Sequence, residues 1–479
     1  MSQNPLKFLI VVLTLTLLTS GEAVHADVPI QPDIIVINVD DLRWDGLSST
    51  GHPFLQTPNI DRIAKEGLTF RNAFVSTPLC SPSRATLYTG HYARTHGVKG
   101  NGGNNAVSDL TLSTYVPLLQ QAGYMTAHVG KWHMNPTNAP RPGFDYWVSF
   151  KGQGSHRDIT LNVNGNIINT AGFTTDVLTA YAINFIEQNH GGKPFAMMLA
   201  YKAVHFPFPS DQSNVPIHLR TLHENKTIPQ PPNAQLGYTL DGKPMLQNPP
   251  PGINPPVPGR TAVPGRTGSA RNTMLNQLRM TAHIDENIGR LLTALEDSNQ
   301  LNNTLLLFTS DNGYFWGEHG LGEKRAAYDE SIRIPMLMRL PSIIPVDTET
   351  DGLVVSADVA PTLLDLAGAD IPDTMQGKSL LPIMSNPMTD VRQGFLAEYF
   401  QDQRYPRIHT WKAVRTEHYK YITYPDSYAQ HGLGWDELYD LAADPYEMTN
   451  LVSDAAAQPV LKQMRQKLVL LEQELNMRR

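Results

Sequence analysis

The chain has 479 residues, 41% hydrophobic and 17% charged, which is the balance of a globular protein with enough length for a large core. Its formal net charge of −7 gives no reason to expect nucleic acid or an anionic membrane as partner. The single cysteine, Cys80, excludes a structural disulfide, so it is kept either for packing or for chemistry.

In chain order, residues 1–26 come first. Lys7 gives a basic start, 8–18 form an apolar run, and Val24-His25-Ala26 offers a small-residue cleavage site. This predicts a secretory signal peptide cut after Ala26, too short to span a bilayer. The protein is then exported, to the periplasm or beyond, with no membrane anchor after cleavage. A continuous apolar strand at 34–39 runs into Asp40-Asp41, and an amphipathic helix follows at 59–66. Ser81 as N-cap, Pro82 at the first helical position and Gly90 at the end predict a short helix over 82–89. Cys80 then lies just ahead of a helix N-terminus, where free N–H groups attract an anion.

A helix at 112–122 leads to a strand at 125–129, which ends in Gly130-Lys131-Trp132-His133. A helix at 174–188 precedes a strand at 195–200, which leads through Tyr201-Lys202 to His205. The proline-rich stretch 206–271 lacks periodicity and predicts a wall or lid of a pocket. A helix at 276–295, a strand at 305–308 running through Thr309-Ser310 into Asp311-Asn312-Gly313, and a helix at 357–367 complete a catalytic domain over 27–386. From 387 to 479, short strand-like runs at 395–400, 412–415, 418–424 and 435–441 and a helix at 459–477 predict a smaller antiparallel sheet closed by a helix. The whole reads as an α/β fold with a mainly parallel sheet between helices.

In such sheets, ligands bind at the carboxyl ends of the strands. Asp40, Asp41, Asp311 and Asn312 converge there and supply oxygen ligands, which suits a hard divalent cation such as Ca²⁺ or Mg²⁺. Three facing carboxylates without a metal would repel. Arg84, Lys131, His133 and His205 add a cationic rim. A metal beside a helix N-terminus with such a rim binds a tetrahedral oxyanion and stabilises charge as an ester breaks. The residues alone therefore reach hydrolysis of a phosphate or sulfate ester, with Cys80 as nucleophile.

Cys80-Ser81-Pro82-Ser83-Arg84 followed by Thr89-Gly90 resembles the C-x-P-x-R…TG signature of the formylglycine-dependent, type I sulfatases. Residues 123–133, Asp40-Asp41, Thr57-Pro58-Asn59-Ile60-Asp61, Asp311-Asn312-Gly313 and the tail Glu437-Leu438-Tyr439-Asp440-Leu441 with Asp444-Pro445 resemble further family motifs across the mature chain. The resemblance implies an alkaline-phosphatase-like fold. It also implies that a formylglycine-generating maturation enzyme oxidises Cys80, and that one Ca²⁺ is held by Asp40, Asp41, Asp311, Asn312 and the modified residue 80. Arg84 then stabilises the aldehyde hydrate, and Asp311 helps deprotonate the attacking hydroxyl. His205 and Lys324 bind sulfate and protonate the leaving alcohol; His133, with Lys131 near it, deprotonates the second hydroxyl so that sulfate is expelled. Arg325 is adjacent to Lys324 and is the alternative for its role.

Arg141-Pro142-Gly143-Phe144-Asp145, 150–154 and Lys202-Ala203-Val204-His205 resemble the N-acetylglucosamine-6-sulfatase branch, which implies a sulfated glycan as substrate. His156, Arg157 and His319 are candidate sugar contacts; the alternative for each is that it caps the fold. The competing functions are a phosphonate or phosphate monoester hydrolase of the same superfamily and a non-catalytic sulfated-glycan-binding protein.

Overall fold

The Asp33–Val39 strand is buried along its whole length, and its side chains alternate between two cores. Ile34 and Val36 join one hydrophobic cluster, while Ile35, Ile37 and Val39 join another on the opposite face. A strand apolar on both sides needs cover on both, and helices supply it. The Cys80–Thr89 and Val359–Leu366 helices contribute to the first cluster. The Pro58–Lys65, Thr174–Asn189 and Ala270–Asp297 helices contribute to the second. The computed structural model describes residues 1, 31–102, 113–134, 137–189, 192–235, 239–247, 270–402, 405–406, 408–425 and 434–478. The signal-peptide reading covers 1–26, of which 2–26 lie outside the described residues.

Among the described residues the central sheet has ten strands. Its core is the parallel set Thr304–Ser310, Asp33–Val39, Phe195–Ala200, Met125–Gly130 and Tyr146–Ser149, side by side. Met336–Arg339 adds antiparallel beside Thr304–Ser310, with Leu68–Phe70 and Thr348–Thr350 beyond it. At the other edge an antiparallel hairpin, Thr160–Val163 with Asn166–Asn169, closes the sheet. Its turn is Asn164-Gly165, both at positive φ (49° and 95°), the conformation that Asn-Gly favours in a two-residue hairpin. A second sheet, Phe395–Tyr399, Trp411–Arg415, Tyr419–Thr423 and Glu437–Asp440, is an antiparallel meander. The Gln458–Met477 helix packs on it through Leu461 and Met464.

The four predicted central strands and the C-terminal meander with its helix are present. Several boundaries shift for identifiable reasons. The short helix begins at Cys80 with Leu79 as its N-cap, two residues earlier than predicted. Ser81 does not cap it, because its hydroxyl donates to the His133 carbonyl (2.5 Å). Gly90 ends it in the left-handed region at φ 67°. The long helix starts at Ala270, not 276, and runs to Asp297. The helix predicted at 112–122 is shorter, Val116–Gln121: residues 113–115 and 122 are not helical, and 112 lies outside the described residues. Within 206–271, the described residues carry short helices at Ile217–Leu219, Pro232–Ala234 and Pro244–Gln247.

Candidate active site

Parallel register brings the reactive strand ends to one level. Val39 pairs with Ser310 and Gly130 with Ala200, so Asp40, Asp311, Lys131 and Tyr201 all leave the sheet together. Backbone bonds fix their exits: Asp311 N donates to Val39 O (3.1 Å), Asp40 N to Ala203 O (3.1 Å), Val204 N to Asp40 O (2.9 Å) and Lys131 N to Ala200 O (2.8 Å). Gly130 has φ 121°, and a Cβ there would lie 1.9 Å from the Ala200 carbonyl oxygen, so glycine is required ahead of Lys131. Asp41 and His133 sit in the left-handed region at φ 67° and 57°. Asp41 is held there by its own N–H on Asp311 Oδ1 (3.1 Å) and by Leu42 N on Ser310 Oγ (3.0 Å).

Cys80 is wholly buried, with Sγ 3.7 Å from Asp40 Oδ1 and 3.3 Å from Lys324 Nζ. The N–H groups of the first helical turn are largely occupied, contrary to the expectation of free donors. Ser81 N donates to Asn101 Oδ1 (2.9 Å), Pro82 has none, and Ser83 N donates to Leu79 O (3.0 Å). Side chains therefore supply the positive charge here. Arg84 places Nε 2.9 Å and Nη2 2.8 Å from Asp311 Oδ2, and its Nη1 donates to Lys131 O (2.7 Å). Lys131 Nζ donates to Asp40 Oδ2 and to Gln153 Oε1 (2.6 Å). Lys324 Nζ donates to Asp41 Oδ1, and His205 Nε2 lies 3.7 Å from Asp41 Oδ2. Three cations thus face three carboxylates in an enclosed space.

The electrostatics follow from that enclosure. Burial opposes the Asp40 charge, yet Lys131, His205, Arg84 and Lys324 together hold its carboxyl well below the usual range. For Asp311, burial and the nearby Asp40 prevail over Arg84 and push it up to about 7. Burial pushes the Cys80 thiol up to about 11, with Lys131 and Lys324 offsetting part of the rise. Burial, joined by Lys131, drives Lys202 down to about 8. Burial also carries His205 and His133 well below the ordinary imidazole value.

The residues fit a hard divalent cation. Ligand atoms of Asp40, Asp41, Cys80 and His205 lie within 4.8 Å of one another. Asp41 Oδ2 and Asn312 Oδ1 are buried without a hydrogen-bond partner. Asn312 Nδ2 is committed to Asp41 Oδ1 (2.7 Å), which leaves the amide oxygen as its free ligand atom.

Of the other predicted residues, His133 sits beside the start of the Cys80 helix, with Nδ1 3.4 Å from Ser81 Oγ. Lys324, rather than Arg325, faces Cys80. Arg325 turns away, pairing with Glu323 (2.8 Å) and covering the Tyr405 ring at 3.4 Å. His156 is buried, its Nε2 donating to the His205 carbonyl (2.6 Å). Arg157 is exposed over the Phe173 ring. His319 is fully buried against Tyr328, ring centroids 4.1 Å apart. Gln153 and Asn101 went unread as site residues. Gln153 follows the Tyr146–Ser149 strand and lies in the 150–154 segment that resembles the N-acetylglucosamine-6-sulfatase branch, so strand-end position and that segment both pointed to it; Asn101 carried no signal.

A model of the sulfatase family matches residues 32–369. The chain belongs to the sulfatase family. Residues 317–474 of this sulfatase also match the model described as N-sulphoglucosamine sulphohydrolase, C-terminal. The chain is 32% identical to the N-acetylglucosamine-6-O-sulfatase of Bacteroides thetaiotaomicron, over 95% of itself and 88% of that relative. It is 27% identical to the N-acetylglucosamine-6-sulfatase of Homo sapiens, over 92% of itself and 84% of that relative. Its fold superposes on that of BT4656, solved in complex with its substrate D-glucosamine-2-N,6-O-disulfate, with a TM-score of 0.82 at 29% identity, covering 93% of this chain and 98% of that one. The sulfatase is thus a sulfuric ester hydrolase of type I, in the alkaline-phosphatase-like superfamily. Among the described residues, no helix is long and apolar enough to cross a membrane.

Proposed function

We propose that this sulfatase removes O-sulfate from a sulfated carbohydrate, with a 6-O-sulfated glucosamine residue as the substrate class. It acts after export and after a maturation enzyme has oxidised Cys80 to formylglycine. The observation that carries this reading is a wholly buried cysteine with Lys324 Nζ 3.3 Å and Asp40 Oδ1 3.7 Å from its sulfur. A cysteine so enclosed, with its thiol pushed up to about 11, is a poor thiolate nucleophile but a well-placed precursor. The names of the relatives at 32% and 27% identity support the sugar and the 6-position.

When bound, a divalent cation such as Ca²⁺ on Asp40, Asp41, Asp311 and Asn312 supplies Lewis-acid stabilisation of sulfate charge, and a formylglycine hydrate at residue 80 supplies the attacking oxygen. Cys80 Sγ stands in for the hydrate oxygens. Lys324 donates to that position, and Arg84, locked on Asp311, lends fixed positive charge one helical turn away. Lys131 keeps Asp40 ionised, its own head steadied by Gln153. His205 presents Nε2 to the site and hands a proton to the leaving alcohol, while His133 takes the proton from the second hydroxyl. The catalytic part is read as 27–386 and the C-terminal part as 387–479.

The test is sulfate release from N-acetylglucosamine 6-sulfate, set beside phosphate release from the 6-phosphate. Sulfate release much faster than phosphate release is expected. The reverse order would favour the phosphate or phosphonate monoester reading.

A further inference from the structure

Lys202 follows the Phe195–Ala200 strand and has only 1% of its surface exposed, a setting in which an ammonium costs several kcal/mol unless it is used. The turn it opens is rigid. Tyr201 is tied through its hydroxyl to Thr179 Oγ1 (2.8 Å), and residues 203 and 204 are bonded on both sides to the Asp40 backbone. Among the described residues, the acceptor that Lys202 Nζ reaches is the Phe206 carbonyl oxygen (3.1 Å). The same oxygen lies 2.7 Å from His205 Nδ1.

A carbonyl oxygen only accepts, so His205 Nδ1 must carry a proton. The exchangeable position is then Nε2, which at 3.7 Å from Asp41 Oδ2 is too far for a hydrogen bond and open to a ligand. The His205 carbonyl is pinned in turn by His156 Nε2 (2.6 Å). Two buried side chains, Lys202 and His156, thus hold the carbonyls of residues 206 and 205, and with them the imidazole. We propose that Lys202 is a positioning residue: it fixes the Phe206 carbonyl so that His205 rests in the Nδ1–H tautomer with Nε2 facing the leaving oxygen, takes up a proton from solvent water at Nε2, and gives that proton to the leaving oxygen as the S–O bond breaks. The proposal rests on the reading of His205 as proton donor to the leaving alcohol.

The test compares wild type with Lys202→Met, of similar length and apolar, and Lys202→Arg, which can still donate. With N-acetylglucosamine 6-sulfate, Lys202→Met is expected to lower kcat by about 10- to 100-fold, the usual effect of losing a supporting hydrogen bond, with KM within about twofold. With 4-nitrophenyl sulfate, whose phenolate leaves without a proton, the loss should be under about threefold. Lys202→Arg should fall within about threefold of wild type on both. Independently of activity, ¹⁵N-histidine labelling, with His205 identified by the signal lost in His205→Gln, should show protonated Nδ1 in wild type and in Lys202→Arg, and a changed tautomer mixture in Lys202→Met. Equal losses on both esters, or an unchanged His205 signal in folded Lys202→Met, would overturn the proposal. A wild-type enzyme that releases sulfate from neither ester would instead count against the proposed function, with the tautomer measurement still deciding the role of Lys202.

Discussion

Lys324 and Arg325 are chain neighbours that the backbone sends in opposite directions. Glu323 and Arg325 both lie at positive φ (67° and 92°), so the turn flips successive side chains apart. Lys324 reaches Cys80 and Asp41, while Arg325 stacks on Tyr405 and holds Glu323. Lys324→Ala should therefore lower kcat/KM by about 10²-fold or more, the scale of losing a charged donor at the reacting centre. Arg325→Ala should act mainly on stability, by about 1–2 kcal/mol, through the lost cation–π contact. Steady-state kinetics and denaturant melts of the two variants separate these outcomes, and equal kinetic losses would count against the assignment. Gly130→Ala is a third probe at this scale. Its Cβ would collide with the Ala200 carbonyl, so Lys131 must shift and activity should drop well before the protein unfolds at assay temperature.

Between elements, the Pro58–Lys65 helix is capped from a distance. Thr57 precedes it but makes no side-chain cap. Asp285, on the Ala270–Asp297 helix, accepts from Asn59 N (2.9 Å) and Ile60 N (2.8 Å). Asp285→Ala should cost about 1–2 kcal/mol, the range for a lost N-cap. Burial raises the Asp285 carboxyl to about 6, with its bonds to Ile60 and Asn59 pulling the other way. A carboxyl whose folded pKa lies above its unfolded value of 3.8 favours the fold while protonated. Its contribution is therefore complete below pH 4 and is lost as pH rises through 6. Asp285→Asn should flatten the stability profile across that window in urea melts at stepped pH.

Such long-range partnerships explain what the sequence hid. The strands 33–39, 195–200 and 304–310 could be read because burial on both faces leaves an unbroken apolar run, and the acids directly behind them gave away the site. Leu68–Phe70, Met336–Arg339 and Thr348–Thr350 are short, and pairing with distant strands, not local pattern, makes them strands. The 160–169 hairpin did carry a local signal, Asn164-Gly165, that went unread. Ser81 looked like an N-cap on local grounds, but its hydroxyl is taken by the carbonyl of a residue 52 positions away and the cap position falls to Leu79.

For the molecule as a whole, the central sheet and the C-terminal meander share one core. Phe395, Leu396 and Trp411 of the meander lie in the same cluster as Ile34 and Leu305 of the central sheet. Unfolding should thus be cooperative across both, with one transition by calorimetry. The proposed cation at the carboxylate cluster would bind the folded chain and not the unfolded one, and at a hundredfold excess over Kd it should add about 2.7 kcal/mol. Chelation should lower Tm and activity together, Ca²⁺ should restore both, and Asp311→Asn should blunt the Tm response.

The central claim is that residue 80, once oxidised, is the group that attacks the sulfate ester. The direct measurement is sulfate release from N-acetylglucosamine 6-sulfate by protein matured in an oxidising host, with the residue-80 peptide followed by mass spectrometry, against folded Cys80→Ala prepared in parallel. The account predicts turnover in proportion to the fraction of residue 80 converted to the aldehyde, and none in Cys80→Ala. Sulfate release by Cys80→Ala, or full activity in protein whose Cys80 remains a thiol, would contradict it.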